Sequence, residues 1–463
     1  MDKAARLFLL YVPAVLFLLI SCAPQGNVKP EDTLKTLDFR KVIKEAKKKV
    51  FPSVVYIKVL KESHEAGKKI TQEVSGSGVI ISAEGEVLTN WHVVDKAVKI
   101  RCLLYDSRAF DAKIVGTDKE IDLALIQLEP GYTKKIENLP CSTVGDSSKL
   151  KEGDFVMAMG APWGLSRSVS MGIVSCTQRF LPEVSEYSLW LQTDAAISPG
   201  NSGGPLVNTA GEIIGINTRG IMYGGDIGFS IPSKTIKLLL PQLREHGRVN
   251  WSYTGLQLQA LKDFNKNIYF ESETGVIVSG TDPGSPARKA GFMSRDRIVK
   301  VNGQELSAVT EENLPAVRRF LGELKMGEAA SFEFVRNGKT MVLSITPREK
   351  GKVEGEELDC PRWDMTVKSI NQFDNPNLYF HRQKGVFVFG IKRPGNAGNA
   401  GLQRNDILLT VDGNKIIELK DAEKVHKNLI SNIKKKHKVI VSILRNGLMR
   451  QIILDFERDY EKE

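Results

Sequence analysis

Between Val54 and Pro232 the apolar residues come in short runs broken by Gly, Asn and Asp. The runs cover 54–59, 76–82, 85–90, 122–128, 154–160, 172–176, 205–217 and 227–232. Runs of this length and spacing predict the strands of an all-β barrel or sandwich, with no helical periodicity between them. The pattern changes upstream. Phe39, Val42, Ile43, Ala46 and Val50 recur at helical spacing with Lys41, Lys44, Lys47, Lys48 and Lys49 between them. This predicts a basic amphipathic helix, which either leads with a solvated face into the first strand or lies against anionic lipid. Earlier still, Lys3 and Arg6 precede an apolar run from Leu7 to Ile20 that ends at Ser21-Cys22. Such a run, short of the ~20 residues of a spanning helix, predicts a secretory signal over 1–22, and the polar stretch 23–38 reads as a tether.

The C-terminal part is a repeat. Residues 275–303 recur as 385–413, matching at Gly275/Gly385, Ala290/Ala400, Gly291/Gly401, Asp296/Asp406 and Gly303/Gly413, and Arg336-Asn337-Gly338 returns as Arg445-Asn446-Gly447. Two units of about 100 residues fit 251–349 and 361–457, joined by the Gly/Glu-rich stretch 350–359. Gly338-Lys339-Thr340 is no Walker loop, because Glu333 stands where the first Gly is needed. Asn337-Gly338 reads instead as a hairpin turn.

Composition sharpens this picture. With 463 residues, 41% hydrophobic and 26% charged, the chain is globular and long enough for about three domains. Its +10 formal charge raises the question of nucleic acid. The excess, however, lies in residues 1–50 and 401–450, while 51–250 are nearly neutral. No basic stripe with interleaved aromatics is present, so no nucleic-acid partner is expected. Past Cys22, Cys102, Cys141, Cys176 and Cys360 are widely spaced. That spacing suits neither zinc nor a redox pair, and no metal or cofactor is expected.

Three segments of the 51–246 region carry chemistry: Thr89-Asn90-Trp91-His92 at the end of a strand, Asp122 entering a buried strand, and Gly200-Asn201-Ser202-Gly203-Gly204 ahead of another. Together they supply base, orienting carboxylate and nucleophile in the order His…Asp…Ser. A serine hydroxyl becomes an effective nucleophile only when an imidazole takes its proton, and a carboxylate fixes that imidazole's tautomer. The glycines beside Ser202 let the chain turn so that the Gly200 and Ser202 amides converge on an oxyanion.

The stretch from Ser75-Gly76-Ser77 through Thr89-Asn90-Trp91-His92-Val93-Val94 to Gly200-Asn201-Ser202-Gly203-Gly204-Pro205-Leu206 resembles the HtrA/Deg serine proteases, exported enzymes that degrade misfolded proteins without ATP. The resemblance implies a mainly β fold, a chymotrypsin-like double β-barrel followed by two PDZ-like α+β domains, and a homo-oligomer built from trimers. It also implies that Ile197 and Ile227 line a pocket for a small aliphatic residue before the cut. Tyr253-Thr254-Gly255-Leu256 in the first repeat resembles the family's loop for a peptide's terminal carboxylate, and the matching Arg362-Trp363-Asp364-Met365 does not. The first repeat is therefore expected to bind peptide C-termini and the second to serve assembly. Leu19-Ile20-Ser21-Cys22 resembles a bacterial lipobox, with Cys22 lipidated and the protein held to a membrane on the envelope side. Trp91, Ala161-Pro162-Trp163, Ser198 and the short segments 61–73 and 220–226 depart from the family pattern without touching the triad. Two other roles fit the sequence: a regulatory protease making one cut in a signalling partner, and a holdase or scaffold whose barrel only binds.

Overall fold

The computed structural model describes residues 39–130, 137–162, 167–182, 184–221 and 227–462. The signal, the tether, Cys22 and Trp163 lie outside them. No helix among the described residues is long and apolar enough to cross a membrane.

Twelve strands close into two barrels. The first comprises β1 (Val54–Ser63), β2 (Ile70–Ile80), β3 (Glu86–Thr89), β4 (Ala97–Leu103), β5 (Ala109–Asp118) and β6 (Leu123–Leu128), in the closed order β1-β2-β3-β6-β5-β4. The second comprises β7 (Phe155–Gly160), β8 (Ser168–Phe180), β9 (Leu189–Thr193), β10 (Pro205–Asn208), β11 (Ile213–Ile221) and β12 (Ile227–Pro232), closed as β10-β11-β12-β9-β8-β7. Side chains alternate in period two, so each strand feeds two cores. Val55, Ile57 and Val59 fill the first barrel, whereas their neighbour Val54 joins Val79, Leu88 and Leu125 against Met157, Met159 and Ile216 between the barrels. That shared core fixes one barrel against the other, and the site lies at their junction. This is the chymotrypsin-like architecture.

Two helices extend the shared core. Helix α1 (Phe39–Val50) buries Ala46 and Val50 in it, with Ile43 packed alongside, and runs through a short 3-10 turn into β1. The apolar positions 43, 46 and 50 are thus spent on protein rather than lipid. Helix α2 (Trp91–Val94) is one turn long and carries His92, which the sequence places at a strand end. Helix α3 (Ser233–His246) has no counterpart in the sequence reading; it buries Ile236, Leu239 and Leu243 and stops at Gly247 in the left-handed conformation (φ +71°). Residues 61–73 are less a loop than a hairpin, because β1 and β2 pair down to Ser63↔Ile70.

The repeats are PDZ-type domains with a common sheet path. In the first, strands Leu256–Gln259, Val276–Thr281, Arg297–Val301, Ala330–Arg336 and Lys339–Ile345 follow one another across the sheet. The second has the same path through Met365–Ser369, Val386–Ile391, Ile407–Val411, Lys438–Arg445 and Leu448–Asp455, plus one more edge strand, Glu357–Cys360. The repeated Arg-Asn-Gly has a physical basis. Asn337 and Gly338 adopt positive φ in the hairpin turn, as do Asn446 and Gly447. Arg336 forks onto buried Asp296 at 2.6 and 2.7 Å and donates to the Gly291 carbonyl at 2.8 Å. Arg445 repeats this on Asp406 and Gly401. Removing Arg336 strands the Asp296 carboxylate, so Arg336→Ala should destabilise the first repeat by about 3 kcal/mol. Urea unfolding followed by hydrogen exchange of this repeat measures the loss, and a change below about 1 kcal/mol would show the pair to be ornamental.

Candidate active site

His92, Asp122 and Ser202 converge on one chain of hydrogen bonds at the barrel junction. Asp122 sits where the turn after β5 enters β6 and adopts φ +59°, a left-handed conformation that Asp tolerates better than most residues. Its carbonyl accepts from the Trp91 amide and the Asn90 side chain, both at 3.1 Å. The buried carboxylate accepts from His92 Nδ1 at 2.8 and 2.9 Å and from the His92 amide at 3.0 Å. Backbone and ring of the histidine are thus referenced to one group. With Nδ1–H given to Asp122, Nε2 carries the free lone pair that a base needs.

From the second barrel comes Thr218, which the sequence reading missed. Its hydroxyl donates to Asp122 Oδ2, and its carbonyl accepts the Ser202 hydroxyl at 2.9 Å. One β-branched residue in a strand carries no sequence signal for such a role. Ser202 therefore rests on Thr218, and engaging His92 requires its Oγ to turn, as resting sites commonly require.

The glycine-rich turn is held from several sides. Gly200 has φ +100°, and a side chain there would bring a Cβ to 2.6 Å from Pro162 Cα. Ser77, also missed, donates its hydroxyl to the Gly200 carbonyl at 2.5 Å, accepts from the Ala161 amide at 2.8 Å, and gives its own amide to the Ser202 carbonyl at 2.8 Å. The Asn201 and Gly203 amides are spent on Ser198 and Asn217 carbonyls. Those of Gly200 and Ser202 donate to no group among the described residues, which leaves the two expected oxyanion donors free. Ile197 and Ile227 are half-buried: Ile197 packs toward the second barrel's core and over Gly228, Ile227 against the inter-barrel core. Their carbonyls both lie near Gly220, while their side chains pack on different cores.

The surrounding charges are ordered. Lys61, half-buried, donates to the His92 carbonyl at 2.6 Å, and burial holds its ammonium below the ordinary lysine range against the opposing pull of Asp95. Asp118 opens the turn that ends at Asp122. Burial pushes its carboxyl up to about 6, against hydrogen bonds from the Trp251 indole and the Ile121 amide. Among the described residues no cysteine takes part: Cys102, Cys141, Cys176 and Cys360 are unbridged. The group of possible metal ligands among the described residues is His437, Asp455 and Glu457, on the second repeat and apart from the triad.

In the first repeat, Tyr253, Thr254, Gly255 and Leu256 line a cavity of about 630 Å³ whose far walls include Tyr187 of the protease domain, Lys350 of the connector and Phe373 and Phe380 of the second repeat. Gly255 adopts φ +74°, and strand Leu256–Gln259 pairs on one side only, with Val276–Thr281. In the second repeat the corresponding strand pairs on both sides, its outer partner being Glu357–Cys360 (Cys360↔Met365). The Asp364 carboxylate there accepts from the Asn396 amide at 2.9 Å, so the loop supplies an anion of its own.

Comparisons with known proteins agree with this geometry. Residues 76–216 match the model of the trypsin-like peptidase domain, and residues 252–346 that of the PDZ domain. A probable periplasmic serine endoprotease, DegP-like, of Marinomonas sp. (strain MWYL1) is 36% identical over 380 residues, 80% of this chain and 77% of the relative. The periplasmic pH-dependent serine endoprotease DegQ of Escherichia coli (strain K12) is 32% identical over 402 residues, covering 81% and 84%. Among solved structures, the HtrA-type protease AlgW with decapeptide superposes with a TM-score of 0.57 at 32% identity, over 66% of this chain and 98% of that one.

Proposed function

The chain belongs to the HtrA/Deg family of serine endoproteases, and from that footing we propose that it degrades misfolded proteins in the periplasm through the triad Ser202, His92 and Asp122. The single observation that carries the assignment is the run of hydrogen bonds Ser202–Thr218–Asp122–His92 that bridges the two barrels. In this mechanism Ser202 Oγ attacks the scissile carbonyl while His92 Nε2 takes its proton. The Gly200 and Ser202 amides receive the oxyanion, and losing one such donor costs about 100–1000-fold. His92 then protonates the leaving amine, and water hydrolyses the acyl-enzyme by the same route. Ile197 and Ile227 would set the preference for a small aliphatic residue before the cut. A fluorophosphonate should label Ser202, and an unfolded, casein-like protein should be cut broadly with the Ser202→Ala chain as blank. Silence toward unfolded protein would point to a regulatory cut, and suppressed aggregation without cleavage to a holdase.

The first repeat is the proposed receptor for peptide C-termini. Its unpaired strand edge and carboxylate loop support this, whereas the second repeat's edge carries Glu357–Cys360 and its loop carries Asp364. A Cβ at Gly255 would run into Ser285. Gly255→Val should therefore weaken binding of a hydrophobic C-terminal peptide to the full chain by at least about tenfold, and Asp364→Gly should leave it unchanged. Fluorescence anisotropy reads both, and the reverse order would refute the assignment. Attachment through lipidated Cys22 and assembly from trimers complete the proposal; the mature chain's intact mass and its sedimentation in detergent test them.

A further inference from the structure

The connector between the two repeats runs along the turn that carries Asp122, and we propose that Lys350 and Glu354 position Asp122, and Glu357 the end of the helix of His92, from outside the barrel. The inference rests on the assignment of Asp122 above. From within, the turn is held by Asp118, which accepts from the Ile121 amide and the Trp251 indole, both at 2.8 Å. Its outward side chains, Lys119 and Glu120, are held by the connector. Lys350 Nζ pairs with Glu120 at 2.6 Å, Glu354 pairs with Lys119, and the Lys350 amide donates to the Trp251 carbonyl at 2.9 Å. The two side-chain pairs have opposite polarity, so a shift of the connector by one pair would set like charges together. Lys350 is 9% exposed and Glu120 21%, so this pair is less screened than the Lys119–Glu354 pair, at 38% and 32%.

The connector also reaches the base. Glu357 accepts from Lys96 at 2.8 Å, just past the helix of His92, and pairs with His64 at 3.1 Å and Lys368 at 3.2 Å. Lys119 lies 5.1 Å over the ring of Trp91, the residue before His92. Beyond Glu357 the connector becomes the strand Glu357–Cys360, paired with Met365–Ser369 and packed under the helix Leu419–Ser431. It thus fills the edge of the second repeat with residues of this chain, and the repeat acts as the connector's anchor. Asp122 holds a backbone conformation few residues adopt, and a misplacement of about 1 Å at a catalytic group can cost about 100-fold. Lys350 also lines the first repeat's cavity, so on a substrate too short to reach the repeats the effect of all three should appear in kcat alone.

The test uses the full chain, with Lys350→Met and Glu354→Gln combined, on a chromogenic peptide too short to reach the repeats. The expected result is a kcat lowered at least about fivefold with KM within about twofold. Exchanging the charges (Glu120→Lys with Lys350→Glu) should recover kcat to within about twofold of the native chain, and each single change should not. Should the double variant unfold, Glu354→Gln alone carries the test with an expected loss of about twofold to threefold. Unchanged kcat, a loss confined to KM, or no recovery on charge exchange would overturn the proposal. Fluorophosphonate labelling keeps the readings apart: an unlabelled native chain refutes the triad, whereas labelling with an indifferent connector refutes only the clamp.

Discussion

Ser202→Ala is expected to lower kcat on a peptide substrate by about a million-fold, with KM and thermal stability close to those of the native chain. The substitution deletes one atom that makes one hydrogen bond, to the Thr218 carbonyl. Nothing in the turn depends on that atom. Gly200 keeps its φ through Ser77 and Pro162, and the Ser202 carbonyl still accepts from the Ser77 amide. The Gly200 and Ser202 amides therefore stay aimed at a bound carbonyl, and some acceleration over free water persists without a nucleophile. Long incubations read by mass spectrometry are needed, since a trace of native enzyme would set the floor. A loss under about 100-fold would mean that another group attacks and that the triad is misassigned.

The sequence makes the candidate triad legible because one of only six histidines, an aspartate and a serine stand in strand-end or glycine-rich settings, in an order few folds share. Thr218 and Ser77 are hidden for the opposite reason. A threonine in an apolar strand and a serine between glycines look like ordinary β residues, and only closure of the barrels brings them to Asp122 and Gly200. His92 reads as the end of a strand because one helical turn is too short for a period to show. The connector is the most instructive case. Its Gly/Glu-rich composition suggests a spacer, yet Lys350, Glu354 and Glu357 each have a partner on the protease domain. Such order comes from distant charges, to which local composition is blind. The repeat, by contrast, is legible from Asp296 and Arg336 and their copies Asp406 and Arg445, whereas the pairing of each Arg with its Asp appears only in the fold.

Asp122→Asn should lower kcat by about ten-thousand-fold while the fold and the Ser202 turn persist. The carboxylate accepts at both oxygens: Oδ1 from the His92 amide and ring, Oδ2 from the ring and the Thr218 hydroxyl. Asparagine has one acceptor oxygen and two donor hydrogens. If its oxygen serves the His92 amide, its NH2 faces Nδ1 or the Thr218 hydroxyl. The ring is then driven to accept at Nδ1 and to carry its proton on Nε2, where it cannot act as a base. If the side chain flips, the His92 amide loses its acceptor and the one-turn helix loses its reference point. Either way the damage falls on proton transfer and spares binding, so KM should stay within about threefold. The φ of +59° argues that the backbone will not resist, because Asn tolerates the left-handed region about as well as Asp. The measurement is kcat at neutral pH, compared with that of the native chain. A variant within about tenfold of the native chain at neutral pH would show that the Asp122 carboxylate does not set the histidine's tautomer.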